Sequence, residues 1–232
     1  MNAQLGFGTA ALGRSISRSE RVRVLETALE CGLTHFDTAP LYGAGAAEEA
    51  LAALPRDRIT IATKAGYRAP SPARLAAGRL VGRPATAESG LFAPAEVRAS
   101  LEGSLRRLRT SHVDLFLLHD VRADDVGDVL LEELDAVVKR GDARATGVAT
   151  RWAEAAALLE RGVPFPAVVQ TSAEPEPPVL DERRLVLHSA IAGRSGSPPQ
   201  VLAALARRRP DALLLFGSRN AEHVRETAAA VL

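Results

Sequence analysis

The strongest constraint on the fold is a rhythm: short apolar runs of strand length alternate with longer stretches patterned for helices. Eight runs stand out: Leu5 to Gly8, Thr34 to Asp37, Ile59 to Thr63, Val113 to Leu118, Ala145 to Ala149, Ala167 to Gln170, Leu185 to His188 and Ala212 to Phe216. Strands separated by helices favour parallel pairing, because parallel neighbours need a long crossover. Eight such units predict a closed (β/α)8 barrel, the TIM barrel of the α/β class, with residues 1–232 as one domain. An open, doubly wound sheet is the competing architecture. It usually carries a glycine-rich phosphate turn after its first strand, and Gly6-Phe7-Gly8-Thr9 lacks the third glycine and the helix.

The helices have readable ends. Ser17-x-x-Glu20 has the form of a capping box, Val22, Leu25 and Leu29 share a face, and Gly32 supplies a stop. Pro94 opens a helix with Val97, Leu101, Leu105 and Leu108 at helical spacing. Further stripes run through Leu130, Leu134 and Val137, from Trp152 to Leu159, from Pro198-Pro199 into Leu202 and Leu205, and from Ala221 to Leu232. Two stretches break the rhythm. Gly66 to Ala93 is too long for an ordinary strand-to-helix connection, and it follows the third strand on the face where barrel enzymes keep their sites. Thr171 to Glu182 holds Pro175, Pro177 and Pro178, which exclude a regular helix there.

Composition narrows the function classes. A formal charge of +1, with arginines scattered among acids, gives no reason to expect nucleic acid or an anionic membrane as partner. No stretch approaches the ~18 apolar residues of a membrane span. No basic segment followed by an apolar one opens the sequence, so the expected compartment is the cytoplasm. Cys31 is the only cysteine, which removes disulfides and cysteine zinc sites. His119-Asp120 with His188 lacks ligand spacing, so no metal is expected. The sequence does not address the oligomeric state.

Three polar residues close consecutive strands: Asp37 the second, Lys64 the third and His119 the fourth. In a barrel these ends meet at one mouth, and Tyr42 lies five residues beyond Asp37. Taken singly, each has an ordinary reading: Asp37 as a turn former, Lys64 as a solvated charge, Tyr42 as packing. Together they make a chemical set. Tyrosine titrates near ~10, and a neighbouring ammonium favours its phenolate and lowers that value. Asp37 balances the lysine, and His119 offers a hydrogen bond to an oxygen gaining negative charge. This suits carbonyl reduction by general acid catalysis.

Phe36-Asp37-Thr38-Ala39, Leu41-Tyr42-Gly43 and the stretch from Glu48 to Leu51 resemble the signature of the aldo-keto reductase family. The resemblance runs in order over nearly the whole chain, and Asp37, Tyr42, Lys64 and His119 match the family tetrad. It implies a (β/α)8 barrel, NADP(H) bound in extended form, and hydride transfer between a nicotinamide and an aldehyde, ketone or sugar lactol, with Tyr42 as general acid or base. Gln170 falls where the family holds the carboxamide, and Phe216-Gly217-Ser218-Arg219-Asn220 is similar to its phosphate segment, with Glu226 beyond it toward the adenine. Arg219, a bidentate donor suited to a 2′-phosphate, favours NADP(H), with NAD(H) the alternative. Gly8, Thr9, Thr150, His188 and Ser189 complete the expected cofactor contacts, and Tyr67, Phe92 and Trp152 the expected substrate pocket.

Several positions depart from the family pattern. Ala149-Thr150 stands where the family has Ser-Asn, His188 where an aromatic stacks on the nicotinamide, and His223 and Thr227 where amides are frequent. The chain is also compact. The expectation is a barrel lacking the usual N-terminal hairpin and C-terminal tail, with an open site bounded by Gly66 to Ala93 and Trp152. Ala39 to Gly43 with Leu118-His119-Asp120 is similar to a branch that oxidises aldose sugars or pyridoxal. A cofactor-sensing or auxiliary binding protein on the same fold is the alternative function.

Overall fold

The computed structural model describes residues 4–13, 16–70, 86–162, 165–180 and 183–232. Eight parallel strands close into a barrel: β1 (Gln4–Gly8), β2 (His35–Asp37), β3 (Thr60–Ala65), β4 (Val113–His119), β5 (Ala143–Ala149), β6 (Val168–Ser172), β7 (Arg184–His188) and β8 (Ala212–Phe216). Each pairs with its neighbour in sequence, and β8 returns to β1 through the register Gln4 to Leu213 and Phe7 to Phe216. The eight runs read from the sequence are these eight strands.

Alternation along each strand sorts the side chains into two sets. Ala62, Leu115, Leu117, Ala149, Val168, Val186, Leu213 and Leu215 fill the barrel interior. Phe7, Phe36, Phe116, Leu118, Leu187 and Leu214 belong to the larger core shared with the helices. These outward residues are branched or aromatic and present an apolar surface to the helix layer. Burying one such side chain stabilises by about 1.5–3 kcal/mol.

Seven helices are seen among the described residues: α1 (Arg18–Glu30), α2 (Ala46–Leu51), α3 (Pro94–Leu108), α4 (Asp128–Arg140), α5 (Trp152–Glu160), α6 (Pro198–Arg208) and α7 (Ala221–Val231). The Ser17 capping box forms, and Gly141 closes α4 at φ +79°, a left-handed conformation that glycine adopts without a Cβ clash. Helix α2 has no signal of its own in the periodicity, since six residues give less than two turns. Between β3 and α3, Tyr67–Arg68 and Glu88–Ser89 pair as a short antiparallel ribbon, and residues 71–85 lie outside the described residues.

No helix links β6 to β7 among the described residues, as the prolines require. The strap from Ala173 to Leu180 is tied down instead by arginines. Arg209, only 4% exposed, donates from Nη1 to the Pro177 carbonyl at 2.7 Å and from Nη2 to that of Pro178 at 3.4 Å. Its guanidinium is held in place by Asp211, at 2.9 and 2.6 Å. Arg194 Nη2 reaches the Ala173 carbonyl and Glu174, both at 2.9 Å. No described helix is long and apolar enough to cross a membrane.

Candidate active site

The strand alternation that points Ala62, Leu117 and Val186 inward also points Lys64, His119 and His188 inward, two residues later, at the C-terminal mouth. Registers place Asp37 beside Gly8 and Ala62, and His119 beside Ala149, which pairs in turn with Gln170. Gly8, Asp37, Lys64, His119, Ala149, Gln170 and His188 line one cavity of about 530 Å³, together with Ala10, Ala11, Tyr42, Asp120, Ser189 to Ala192 and Leu215 to Gly217.

At its floor Lys64 Nζ donates to both carboxylate oxygens of Asp37, each at 2.7 Å, and to the Thr38 carbonyl at 2.9 Å. Lys64 is 1% exposed, and its side chain also interacts by hydrogen bonding with that of Tyr42. Burial alone would lower the Lys64 pKa, but Asp37 and Tyr42 more than offset it, and the net direction is upward. Lys64 stays charged. The same ammonium lies 5.3 Å from the Tyr42 ring centroid, and the Tyr42 and His119 rings meet edge to face at 6.3 Å.

The expected lowering of the Tyr42 pKa is corrected. Lys64 does pull it down, but burial is the larger effect and Asp37 adds to it, so the phenol lies above its ordinary value. The reason is that loss of water around the buried phenol disfavours its charged form by more than the Lys64 ammonium favours it. Tyr42 is thus protonated at neutral pH, the state a proton donor needs. His119 is pushed down to about 4, mainly by burial and then by Lys64, so it is a neutral imidazole. Burial lowers His188 in the same direction.

Gln170 is 3% exposed, and its Oε1 finds no hydrogen-bond partner among the described residues although it lines the cavity. A buried acceptor without a donor is costly, on the order of 1–3 kcal/mol, so it points to a ligand donor. Such an acceptor suits an amide N–H, as the carboxamide of a nicotinamide would offer. Gly217 and Gly8 form a second feature of this kind. A Cβ on Gly217 would meet the Gly8 carbonyl oxygen at 2.3 Å, so only glycine lets these strand ends approach.

Beyond Gly217 a second cavity of about 390 Å³ shares Ile191, Phe216 and Gly217 with the first and adds Ser218, His223, Glu226 and Thr227. Arg219 stands exposed next to it. The two cavities give an extended molecule a run from the barrel axis to the start of α7.

Other expected contacts fall elsewhere. Thr9 is buried and donates to the Asp37 carbonyl at 3.0 Å, so it braces β1 against β2. Thr150 donates to the Val121 carbonyl at 2.8 Å, and Ala149 lines the cavity in its place. Phe92 packs over Gly66 in the main core, and Trp152 packs against that core at the start of α5; neither lines the cavity. Tyr67 stands at the rim, its ring edge-on to His119 at 4.9 Å and its hydroxyl donating to Asp120 at 2.8 Å. Among the described residues the walls come from Ala10-Ala11 and Ser189 to Ala192, not from Trp152 or the stretch after β3. Asp120, the next residue after His119, is the cavity residue whose role the sequence reading missed.

The family model described as the aldo/keto reductase family matches residues 4–186. The chain belongs to that family. Among curated relatives, this aldo/keto reductase is 33% identical over 167 residues to D-threo-aldose 1-dehydrogenase of a Pseudomonas species, covering 65% of this chain and 51% of that protein. It is 36% identical over 134 residues to 6-dehydroglucose reductase of Agrobacterium fabrum, covering 53% of this chain and 41% of the relative. The chain thus spans about half the length of these relatives or less. Among solved structures, an aldo-keto reductase from Bacillus halodurans superposes with a TM-score of 0.77 at 20% identity, over 98% of this chain and 86% of the other. One from Klebsiella pneumoniae, solved in complex with NADPH, gives 0.71 at 23% identity, over 98% and 84%. Those likenesses establish the barrel of this family member.

Proposed function

We propose that the protein is an NADP(H)-dependent oxidoreductase that interconverts a small-molecule carbonyl or lactol and its reduced or oxidised partner. The observation that carries this reading is the convergence of Asp37, Tyr42, Lys64 and His119 on one cavity beside the unpartnered Gln170. The bound nicotinamide supplies or accepts the hydride. Gln170 would hold its carboxamide, Gly217 and Ser218 the phosphates at the start of α7, and Arg219 a 2′-phosphate.

The protein's own work is on the oxygen. Tyr42, protonated and half-buried, gives its proton to the carbonyl oxygen as the carbon gains hydride. The incipient phenolate is then stabilised by the Lys64 ammonium, which Asp37 keeps in position and charged. Neutral His119 donates a hydrogen bond to the same oxygen without competing for the proton. In the oxidative direction Tyr42 takes the proton back.

The test is Tyr42→Phe. NADPH oxidation with a panel of aldehydes should fall by at least about 100-fold, the usual share of a general acid, while NADPH fluorescence still reports binding. Turnover undiminished in the variant would sink the mechanism. NADPH binding by the unaltered protein with no turnover of any carbonyl would favour a cofactor sensor instead.

A further inference from the structure

Asp120 is the carboxylate at the mouth that the proton chemistry leaves unused. It sits in the left-handed region at φ +54°, a conformation uncommon for residues other than glycine and better tolerated by Asp and Asn. Its backbone N–H is held by the Ala149 carbonyl at 2.8 Å, which fixes the turn. One carboxylate oxygen, Oδ2, accepts from Tyr67 at 2.8 Å. Burial and then Asp120 raise the Tyr67 pKa to about 12, so this hydroxyl remains a donor. The side chain is thereby oriented at the lip of the cavity that holds His119, Tyr42 and Lys64, and no described residue hydrogen-bonds its Oδ1.

The charges around the cavity decide what that oxygen meets. Among the described lining residues the charged side chains are Asp37, Lys64 and Asp120. Asp37 and Lys64 neutralise each other at 2.7 Å, and His119 and His188 are held neutral by burial. Arg68, beside the rim, is paired to Glu88 at 3.0 Å and to Glu96. Among the described lining residues this leaves Asp120 as the charge without an opposite partner. A carboxylate so placed accepts hydroxyl donors strongly and repels an incoming carboxylate or phosphate.

We propose that Asp120, oriented by Tyr67, is the specificity residue of this site: it accepts the hydroxyl groups of neutral polyhydroxylated carbonyls and lactols, and it excludes anionic ones. The proposal rests on the oxidoreductase reading for its substrates, but its binding consequence does not depend on hydride transfer. Asp120→Asn keeps the shape and the left-handed backbone and removes only the charge, so it tests the assignment without threatening the fold.

Two readouts separate the proposal from the reading beneath it. In turnover, kcat/KM is compared within each enzyme for glyceraldehyde, for propionaldehyde, which lacks the hydroxyls, and for the anion glyoxylate. The ratio of glyceraldehyde to propionaldehyde should fall about tenfold or more in Asp120→Asn, the range for losing a hydrogen bond to a charged acceptor, and the ratio to glyoxylate should fall further. Using ratios cancels the different intrinsic reactivities of the aldehydes. In binding, dissociation constants for glycerol and glycerate are measured by ligand-observed NMR on the full chain with and without NADP. Glycerol should weaken and glycerate tighten in Asp120→Asn, and Tyr67→Phe should shift both in the same sense but less. Unchanged ratios or unchanged relative affinities would overturn the Asp120 assignment. Absence of turnover with the predicted shifts in binding would sink the oxidoreductase reading and leave the assignment supported.

Discussion

Lys64 Nζ lies 2.7 Å from each carboxylate oxygen of Asp37, with both residues no more than 4% exposed. A buried pair of this kind adds little net stability, because desolvation of both ions offsets their attraction. Breaking it is another matter. Asp37→Asn leaves an uncompensated ammonium in the barrel and should cost about 3–5 kcal/mol in urea denaturation. The double variant Asp37→Asn with Lys64→Met removes the stranded charge and should recover most of that loss. A double variant as unstable as the single one would show that the pair contributes through packing rather than charge.

Gln170 presents the opposite case, a polar group that weakens the protein on its own. Its Oε1 is buried and has no partner among the described residues. Gln170→Leu should therefore leave stability unchanged or raise it, by up to about 2 kcal/mol, while weakening NADPH binding by roughly tenfold. Thermal melting and fluorescence titration read the two effects separately. Loss of stability with unchanged NADPH affinity would remove Gln170 from the cofactor site.

His35 gives the protein an acid limit. It is 5% exposed inside the barrel, with Nδ1 at 3.0 Å from Thr60 Oγ1 and Nε2 without a partner among the described residues. Burial, the largest cause, lowers its pKa from 6.5 to about 4. The unfolded chain then binds the proton first, so stability rises with pH between these values and is lost as pH falls from about 6.5 to 4. The loss attributable to His35 is on the order of 3 kcal/mol. His35→Leu should show a shallower fall over that window, with His119 and His188 contributing what remains. Equal slopes for both proteins would place the acid sensitivity elsewhere.

The barrel and its inward tetrad were legible in the sequence because both depend on period-two alternation and on strand ends. Asp37, Lys64 and His119 close their strands, and closure of the sheet brings such ends together whatever the intervening helices do. The pocket walls were not legible. Ser189 to Ala192 and Ala10-Ala11 line the cavity through loop conformation, including φ +55° at Ser189, which no periodicity reports. Phe92 and Trp152 were drawn to the site by their chemistry, yet an aromatic in a barrel loop serves equally to cover the core, and here both do. The sign of the Tyr42 shift was also hidden, because it depends on how deeply the folded barrel buries the phenol.

The middle of the strap between β6 and β7, at Pro177 and Pro178, is held by the buried Arg209. Arg209 reaches two backbone carbonyls of the strap while its fork is fixed by Asp211. Arg209→Met should cost on the order of 3 kcal/mol and open the chain near Glu174 to Leu180 to limited proteolysis. Arg209→Lys should recover little of this, since a single ammonium cannot span the carbonyls and Asp211 at once. Full rescue by lysine would mean that charge alone holds the strap.

Arg219 sets the last expectation, which concerns the choice between the two nicotinamide cofactors. It is exposed at the turn into α7, next to Ser218, and it has no described carboxylate partner to release before it binds an anion. Glu222, the acid in the first turn of α7, is itself paired with Arg225 at 3.2 Å. A guanidinium gripping a 2′-phosphate gains charge-assisted hydrogen bonds that the corresponding hydroxyl of NADH cannot return. Arg219→Ala should thus lower NADPH affinity by about ten- to a hundredfold and change NADH affinity by less than about threefold. The effect on NADPH should shrink as salt is raised, because an exposed ion contact is screened. If both affinities fall together, Arg219 acts by shaping the turn and the preference for NADPH must come from another group.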